Sequence, residues 1–148
     1  MNYIWMKPDE TIDFQIRWAW YSISRMYNLK ANEFGSSMAI GYALLNIDKE
    51  GTPSTKLAPK MGMEPRSLTR MIKHLSEDGL IIKVSDKSDK RLVKIFLTAK
   101  GITIREQAKE VVISFNNKIK AEIDNKDLEI CFSVLNKLNK LIDNNNIF

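Results

Sequence analysis

The chain has 148 residues, 44% of them hydrophobic, and its 23 Lys and Arg outnumber its 18 Asp and Glu. This length and composition predict one domain, 1–148. A single cysteine excludes an intramolecular disulfide, and the longest uncharged apolar run, about 13 residues, is too short to span a membrane. Charged residues such as Lys7, Asp9 and Glu10 interrupt the N-terminus, so we expect no secretory signal, no membrane association and a cytoplasmic location.

Two helices are predicted before residue 50. The first runs from about Thr11 to Asn28, with an apolar and aromatic stripe at helical spacing. That stripe comprises Ile12, Ile16, Ala19, Ile23, Met26, Phe14, Trp18, Tyr21, Trp20 and Tyr27. The second helix covers about 36–47, where Gly41 permits close approach of a neighbour. We expect it to pack these residues into the core: Met38, Ile40, Tyr42, Leu44 and Leu45.

A short helix is predicted within residues 53–62. Ser54 or Thr55 offers an N-terminal cap, and Gly62 is a natural C-terminal stop. Pro59 is unfavourable in a helix interior, so this helix is expected either to kink or to begin its regular turns late.

The next helix is predicted to be amphipathic and basic, beginning near Pro65 and stopping at Gly79. At about 100° per residue its apolar side chains fall within one narrow arc; they are Leu68, Met71, Ile72 and Leu75. The opposite face carries Arg66, Thr69, Arg70, Lys73 and Glu77. Such a helix can bury one stripe and present cations and a hydroxyl to phosphates and base edges in a DNA major groove. The alternative is an ordinary surface helix with a solvated basic face.

A β-hairpin with a charged tip is predicted next. Residues 80–84 and 93–97 alternate in side-chain character as strands do, and the intervening loop 85–91 contains no large apolar residue. Beside a groove-binding helix, this loop can lay Lys90 or Arg91 along a minor groove. Asp89 is then expected to orient Arg91 by ion pairing. The alternative is a solvated turn that uses Asp because turns favour it.

The positive charge is confined to these elements. Residues 52–101 carry 11 Lys and Arg against 5 Asp and Glu, whereas all other residues carry 12 against 13. The whole positive excess therefore lies in one third of the chain, as attraction to a polyanion requires.

Two further amphipathic helices follow. Thr98 is predicted to cap a long helix running to about Ile123, and the segment 125–127 is predicted to interrupt it. The last helix carries a stripe close to a heptad rhythm, formed by Leu128, Cys131, Phe132, Leu135, Leu138, Leu141 and Ile142. Apolar stripes at both ends favour a homodimer built from residues 9–30 and 102–148. The alternative is that the stripes fold back on the chain's own core.

Several short motifs in this order resemble the MarR (multiple antibiotic resistance regulator) family of bacterial transcription factors. They are Leu57-Ala58, Leu68-Thr69-Arg70 with Leu75, Gly79-Leu80-Ile81, Asp89-Lys90-Arg91 and Leu97-Thr98-Ala99-Lys100-Gly101. The order of the predicted elements, a short helix, a turn, a basic amphipathic helix and a β-hairpin, itself predicts a winged helix-turn-helix at 52–101 within a mainly helical α+β fold. The resemblance implies in addition a homodimer on a palindromic operator. Arg66, Pro59 and Pro65 depart from the usual pattern of the family.

The combined interpretation is a sequence-specific regulator of transcription, acting as a ligand-responsive repressor on double-stranded DNA. A two-fold axis would place the two groove-binding helices about 34 Å apart, so the operator is expected to be an inverted repeat. The predicted DNA contacts are Ser54, Thr55, Lys56, Arg66, Ser67, Thr69, Arg70, Lys73, Lys87, Asp89, Lys90 and Arg91. The predicted dimer contacts are Ile12, Ile16, Phe132, Leu135, Leu138, Leu141 and Ile142.

The family resemblance also implies a ligand crevice between the dimer helices and the winged part. Four aromatic residues are candidates to line it, with an aromatic acid or an acyl-CoA as effector; they are Trp18, Trp20, Tyr21 and Tyr42. The alternative places each of these aromatics in the core.

Other functions find little support in the sequence. No phosphate-cradling glycine loop, metal-ligand spacing or nucleophile arrangement is recognisable, so we expect no enzyme, no cofactor and no metal. Cys131 lies on an apolar stripe and is expected to be buried and inert, and His74 is expected to be a solvated surface residue. The remaining alternative is a winged helix used as a protein-interaction module in a larger assembly.

Overall fold

The computed structural model describes residues 6–144, so the outermost parts of the predicted ranges 1–148 and 102–148 lie outside the described residues. The chain is mainly helical with one small antiparallel sheet, which confirms the predicted fold class. The described residues divide into two compact units, with the boundary between Val111 and Val112.

The elements follow one another in an order typical of a winged helix. The helices are α1 (Ile12–Asn32), α2 (Met38–Leu45), α3 (Ser54–Met61), α4 (Pro65–Glu77), α5 (Ala99–Glu122) and α6 (Asn125–Asp143). The strands are β1 (Thr52–Pro53), β2 (Ile81–Ser85) and β3 (Val93–Leu97), and they pair antiparallel in the order β1-β3-β2. The sequence predicted β2 and β3 but not β1, whose two residues are too few for an alternating pattern.

Local capping explains where several helices begin. The hydroxyl of Thr11 accepts from the backbone N–H of Phe14 at the start of α1, and the hydroxyl of Ser37 accepts from Ile40 at the start of α2. α1 extends about one turn beyond the predicted end, whereas α2 is shorter than predicted.

Helix α3 differs from its prediction at its beginning. Pro53 occupies the cap position and no side chain caps the helix, so the predicted cap at Ser54 or Thr55 is wrong. Pro59 lies inside a helix that runs from Ser54 to Met61, so of the two expected outcomes, a kink or a late start, the late start is wrong. The helix ends at Gly62, whose φ of 64° is a left-handed conformation that glycine adopts without steric cost.

The core of the first unit is formed by α2, α3, α4 and the inner face of the sheet. Its fully buried large side chains are Leu44, Ile47, Leu57, Leu75, Ile81 and Ile95. Tyr42 is not among them: it is 46% exposed, and its hydroxyl donates to the backbone oxygen of Met61 at 3.3 Å. The prediction that Tyr42 packs into the core is therefore wrong. Gly41 does permit close approach, because a Cβ there would lie 3.1 Å from the Cβ of Ala108 in α5.

The second unit contains the end of α5 and all of α6. The break between the two helices falls at Ile123 and Asp124, and the Asp124 carboxylate caps α6 by accepting from the N–H of Lys126 at 2.8 Å. The predicted interruption at 125–127 is wrong, because these residues form the first turn of α6. No residue of α6 between Asn125 and Asp143 is buried.

Candidate nucleic-acid interface

Helix α4 presents the polar face predicted for it. Leu68, Ile72 and Leu75 are buried in the core of the first unit. Burial of these side chains fixes which face of the helix remains in solvent. The exposed residues on that face are Arg66, Ser67, Thr69, Arg70 and Lys73.

The groups on this face differ in their freedom to bind. Within residues 6–144, the guanidinium groups of Arg66 and Arg70 have no hydrogen-bond or ion-pair partner. Lys73 lies 3.8 Å from a carboxylate oxygen of Glu77, and both side chains are largely exposed, so this pair is weak. The Thr69 hydroxyl donates its hydrogen to the backbone oxygen of Pro65 at 2.9 Å. It therefore remains available to a ligand as an acceptor only.

Helix α3 supports α4 and adds exposed polar groups. Leu57 and Ala58 are buried, and the backbone N–H of Met63 donates to the oxygen of Ala58 at 3.0 Å, which closes the turn after α3. Thr55 and Lys56 are exposed at the beginning of the helix. Ser54, also predicted to contact DNA, is half-buried.

A network of hydrogen bonds attaches α3 to the loop before β1. The Lys60 ammonium donates to the Asp48 carboxylate at 3.2 Å and to the backbone oxygen of Asn46 at 2.9 Å, and the Thr52 hydroxyl donates to Asp48 at 3.2 Å. The hydrogen bond and positive charge of Lys60 lower the pKa of Asp48. Sequence reasoning missed this network because its members are up to 14 residues apart and follow no periodic pattern.

The tip of the hairpin is an ordered turn organised by Asp86. One oxygen of its carboxylate accepts from the hydroxyl and the backbone N–H of Ser88 and from the N–H of Asp89. The Ser88 side chain is the largest cause that lowers the pKa of Asp86. The sequence analysis missed this role, although Asp followed two residues later by Ser is a recognisable turn signal.

Asp89 acts differently from its prediction. Its carboxylate accepts from the backbone N–H of Arg91 at 3.0 Å and makes no ion pair with the guanidinium. The predicted ion pairing is therefore wrong, because a carboxylate two residues away reaches the backbone more readily than the end of a long side chain. Within residues 6–144, the charged groups of Lys87, Lys90 and Arg91 have no ion-pair partner, and all three residues are exposed.

The outer face of the sheet is apolar. Ile82 is 52% and Val84 46% exposed, whereas their neighbour Ile81 is fully buried on the inner face. Ile82 pairs with Phe96 across the strands. A shallow groove on the same hairpin is lined by Val84, Leu92 and Phe96 together with Pro53, Thr55, Ser85, Asp86, Lys87, Val93 and Lys94.

The remaining predicted site residues lie at the surface of the single chain. The four aromatic candidates for a ligand pocket are 46 to 66% exposed, so the alternative that places them in the core is wrong; they are Trp18, Trp20, Tyr21 and Tyr42. The seven predicted dimer residues are also exposed, except that Leu138 is half-buried.

Cys131 is a free, exposed cysteine, which corrects the expectation that it is buried. His74 is exposed as predicted and lies 3.7 Å from a Glu77 oxygen.

The helix-turn-helix of α3 and α4, followed by the hairpin of β2 and β3, defines a winged helix-turn-helix protein. Residues 44–93 match the MarR family model, which confirms the resemblance carried by the motifs. None of the helices within residues 6–144 combines the length and apolar character that crossing a membrane requires.

Solved structures of similar proteins cover most of the chain. The S. aureus MepR–DNA complex has a TM-score of 0.81 at 17% identity, covering 89% of this chain and 98% of that one. CouR from Rhodococcus jostii RHA1, bound to p-coumaroyl-CoA, has a TM-score of 0.76 at 20% identity, with coverages of 90% and 95%. A mutant MarR from E. coli complexed with operator DNA has a TM-score of 0.74 at 21% identity, with coverages of 84% and 90%. At these identities the likeness establishes the fold.

Proposed function

We propose that this protein is a sequence-specific DNA-binding regulator of transcription that uses α4 in a major groove and the hairpin tip in a minor groove. The observation that supports this most directly is the exposed face of α4, where Arg66 and Arg70 have no partner within residues 6–144. Unpaired, solvated guanidinium groups on a helix that is anchored by its opposite face are suited to phosphates and guanine edges.

The regulator is proposed to act as a homodimer that represses transcription from an inverted-repeat operator. The exposed apolar stripe of α6 supports a dimer, because large apolar surfaces on a single chain mark protein interfaces. The similar MepR and MarR proteins were solved with DNA, which supports DNA as the ligand.

The test is binding of purified protein to duplex DNA from upstream of its own gene, measured by fluorescence anisotropy at several salt concentrations. Arg66→Glu combined with Arg70→Glu is expected to weaken binding by more than about 100-fold, because each change replaces a phosphate attraction with repulsion. Lys49→Glu, a single charge reversal at an exposed cation outside the proposed interface, is the control for a change in net charge alone; it is compared with Arg70→Glu by itself. Equal affinities for the double variant and the wild type would refute the function.

An aromatic acid or an acyl-CoA is proposed as the effector that releases DNA. The similar CouR protein was solved with p-coumaroyl-CoA, and the exposed aromatics of α1 offer apolar surface to such a ligand. Thermal shift against benzoate derivatives and acyl-CoAs tests this proposal. Stabilisation by one class, lost in Trp18→Ala, is expected, and no stabilisation by either class would reject it.

The alternative function, a protein-interaction module, is favoured by one observation: the half-exposed aliphatic side chains on the outer face of the sheet, at Ile82 and Val84. This function predicts that the protein lacks salt-dependent affinity for any duplex DNA. The anisotropy titration of the wild type therefore discriminates between the two functions directly.

A further inference from the structure

The end of helix α4 is tied to the beginning of α5 through three consecutive backbone oxygens. The Lys100 ammonium donates to the oxygen of Asp78 at 2.9 Å, and the Thr98 hydroxyl donates to the oxygen of Gly79 at 2.7 Å. The backbone N–H of Thr98 donates to the oxygen of Leu80 at 3.0 Å. These carbonyls directly follow the last residue of α4, Glu77.

The same hydroxyl has a second role. Thr98 Oγ1 accepts from the backbone N–H of Gly101 at 3.0 Å and so caps α5 while it donates to Gly79. One hydroxyl thus connects the C-terminal turn of α4 with the N-terminal turn of α5. A hydroxyl can do this because it has one hydrogen to donate and two lone pairs to accept.

Backbone contact at Gly101 makes the connection tight. A Cβ at this position would overlap the backbone oxygen of Leu80, far inside van der Waals contact. Any side chain at Gly101 would therefore force α5 and the chain after α4 apart. Gly79 contributes too, since its φ of 69° is a left-handed turn that glycine adopts without steric cost.

We propose that this joint, formed by Asp78, Gly79 and Leu80 with Thr98, Lys100 and Gly101, positions α4 for reading DNA sequence. The proposal rests on the DNA-binding function proposed above. The buried stripe of α4 contributes contacts without a preferred direction, whereas hydrogen bonds are directional and constrain how the helix is tilted.

The required precision is high. Helix α4 has 13 residues and is therefore about 20 Å long, so a tilt of about 5° at its C-terminal end moves its N-terminal end by about 1.7 Å. Base-edge hydrogen bonds tolerate only a few tenths of an ångström, whereas flexible cationic side chains follow a phosphate more easily. Loosening the joint is thus expected to reduce discrimination between sequences more than overall DNA affinity.

The direct test compares Thr98→Val, which removes the hydroxyl at similar volume, with Thr98→Ser, which keeps it. Anisotropy titrations measure the ratio of affinities for the selected operator and for a random duplex. Thr98→Val is expected to lower this ratio roughly tenfold, because each protomer loses the directional hydrogen bond to Gly79 together with the bond that caps α5. Thr98→Ser is expected to stay within about twofold of wild type, since a serine hydroxyl makes the same two bonds.

Two further variants separate positioning from stability. Lys100→Met removes the bond to Asp78 and one positive charge but keeps the cap of α5. The lost charge weakens binding to both duplexes alike, so the ratio is expected to fall by a smaller factor than in Thr98→Val. Ser37→Ala removes the cap of α2, which has no part in the joint, so it is expected to lower the melting temperature and leave the ratio unchanged. A Thr98→Val protein that melts earlier but keeps the wild-type ratio would overturn the proposal.

Amide hydrogen exchange without DNA distinguishes failure of the joint from failure of the proposed function. The N–H groups of Asp78, Gly79 and Leu80 bond back to α4, at His74, Ser76 and Leu75. They are expected to exchange faster in Thr98→Val and Lys100→Met, and at the wild-type rate in Ser37→Ala. Unchanged exchange in both joint variants would overturn the positioning role. Failure of the wild type to bind any duplex would instead reject the DNA-binding function. The exchange rates would still show whether the joint holds the end of α4, because they are measured without DNA.

Discussion

Helices α4 and α6 are both amphipathic, but the apolar side of α4 is buried and that of α6 is exposed. The apolar side of α4 is buried in the first unit, with Leu68 5% and Leu75 1% exposed. The corresponding side of α6 remains open, with Phe132 58% and Ile142 56% exposed. An amphipathic pattern therefore predicts that a stripe needs a partner, but it does not identify that partner.

The largest effect is expected from breaking the stripe of α6. Leu135→Glu places a charge in the proposed dimer interface, where it would be buried without a partner, so the protein is expected to become monomeric. Sedimentation velocity measures the mass. Ser133→Glu is the matched control, because it adds the same charge about 200° around the helix. A Leu135→Glu protein that remains dimeric would exclude this stripe as the interface.

The next effect concerns the exposed face of α4. Arg70→Ala is expected to cost roughly 1 to 3 kcal/mol per half-site if the guanidinium reads a guanine edge. Competition titrations with operator and random duplexes give the difference. Equal weakening on both duplexes would reassign Arg70 to a phosphate contact. The exposed face of α4 would then attract DNA by its charge without reading the base sequence.

A smaller effect is expected at the hairpin tip. Arg91→Ala should weaken binding to A·T-flanked duplexes and reduce the salt slope by about 1 for each phosphate that a protomer no longer neutralises. Affinity measured at four or more salt concentrations gives this slope. If the slope does not change, Arg91 does not lie against the DNA backbone.

The smallest effect is a pH response of the hairpin turn. The pKa of Asp86 is lowered from 3.8, mainly by the Ser88 hydroxyl, so its carboxylate is favoured in the folded chain. The resulting contribution to turn stability is fully present above 3.8 and is lost as pH falls through the lowered pKa. Chemical shifts of the loop amides are therefore expected to stay constant from roughly pH 5 upward and to change in acid. Asp86→Asn keeps an acceptor oxygen and should remove that change; persistence of the change would assign it to another group.

Local signals in the sequence predicted much of this fold and of the candidate site. The 3.6-residue period of α4 correctly placed Arg66 and Arg70 in solvent, because a helix places side chains by a geometry that requires no distant residue. Thr98 was likewise correctly predicted as the cap of α5, since capping involves atoms within one turn. The count of charged residues along the sequence was enough to show that the positive excess lies in one third of the chain.

Predictions that depended on distant contacts were less successful. Tyr42 looked like a core residue by composition, but only the packing of α2 against α3 and α5 left it at the surface. The alternation in β2 placed Ile81 and Ile82 on opposite faces of the strand, but it did not indicate which of the two faces the core would cover. Asp89 had two partners within reach, the backbone and the side chain of Arg91, and the geometry of the turn selected the backbone.

The sequence alone thus determined the order of helices and strands, the polar face of α4 and the confinement of positive charge, because periodicity, capping and composition act between residues close in the chain. Only the tertiary structure decided which apolar faces are covered and which backbone oxygens the Thr98 hydroxyl and Lys100 reach. Those hydrogen bonds join residues about 20 apart in sequence, and their geometry exists only after the segments between them have folded.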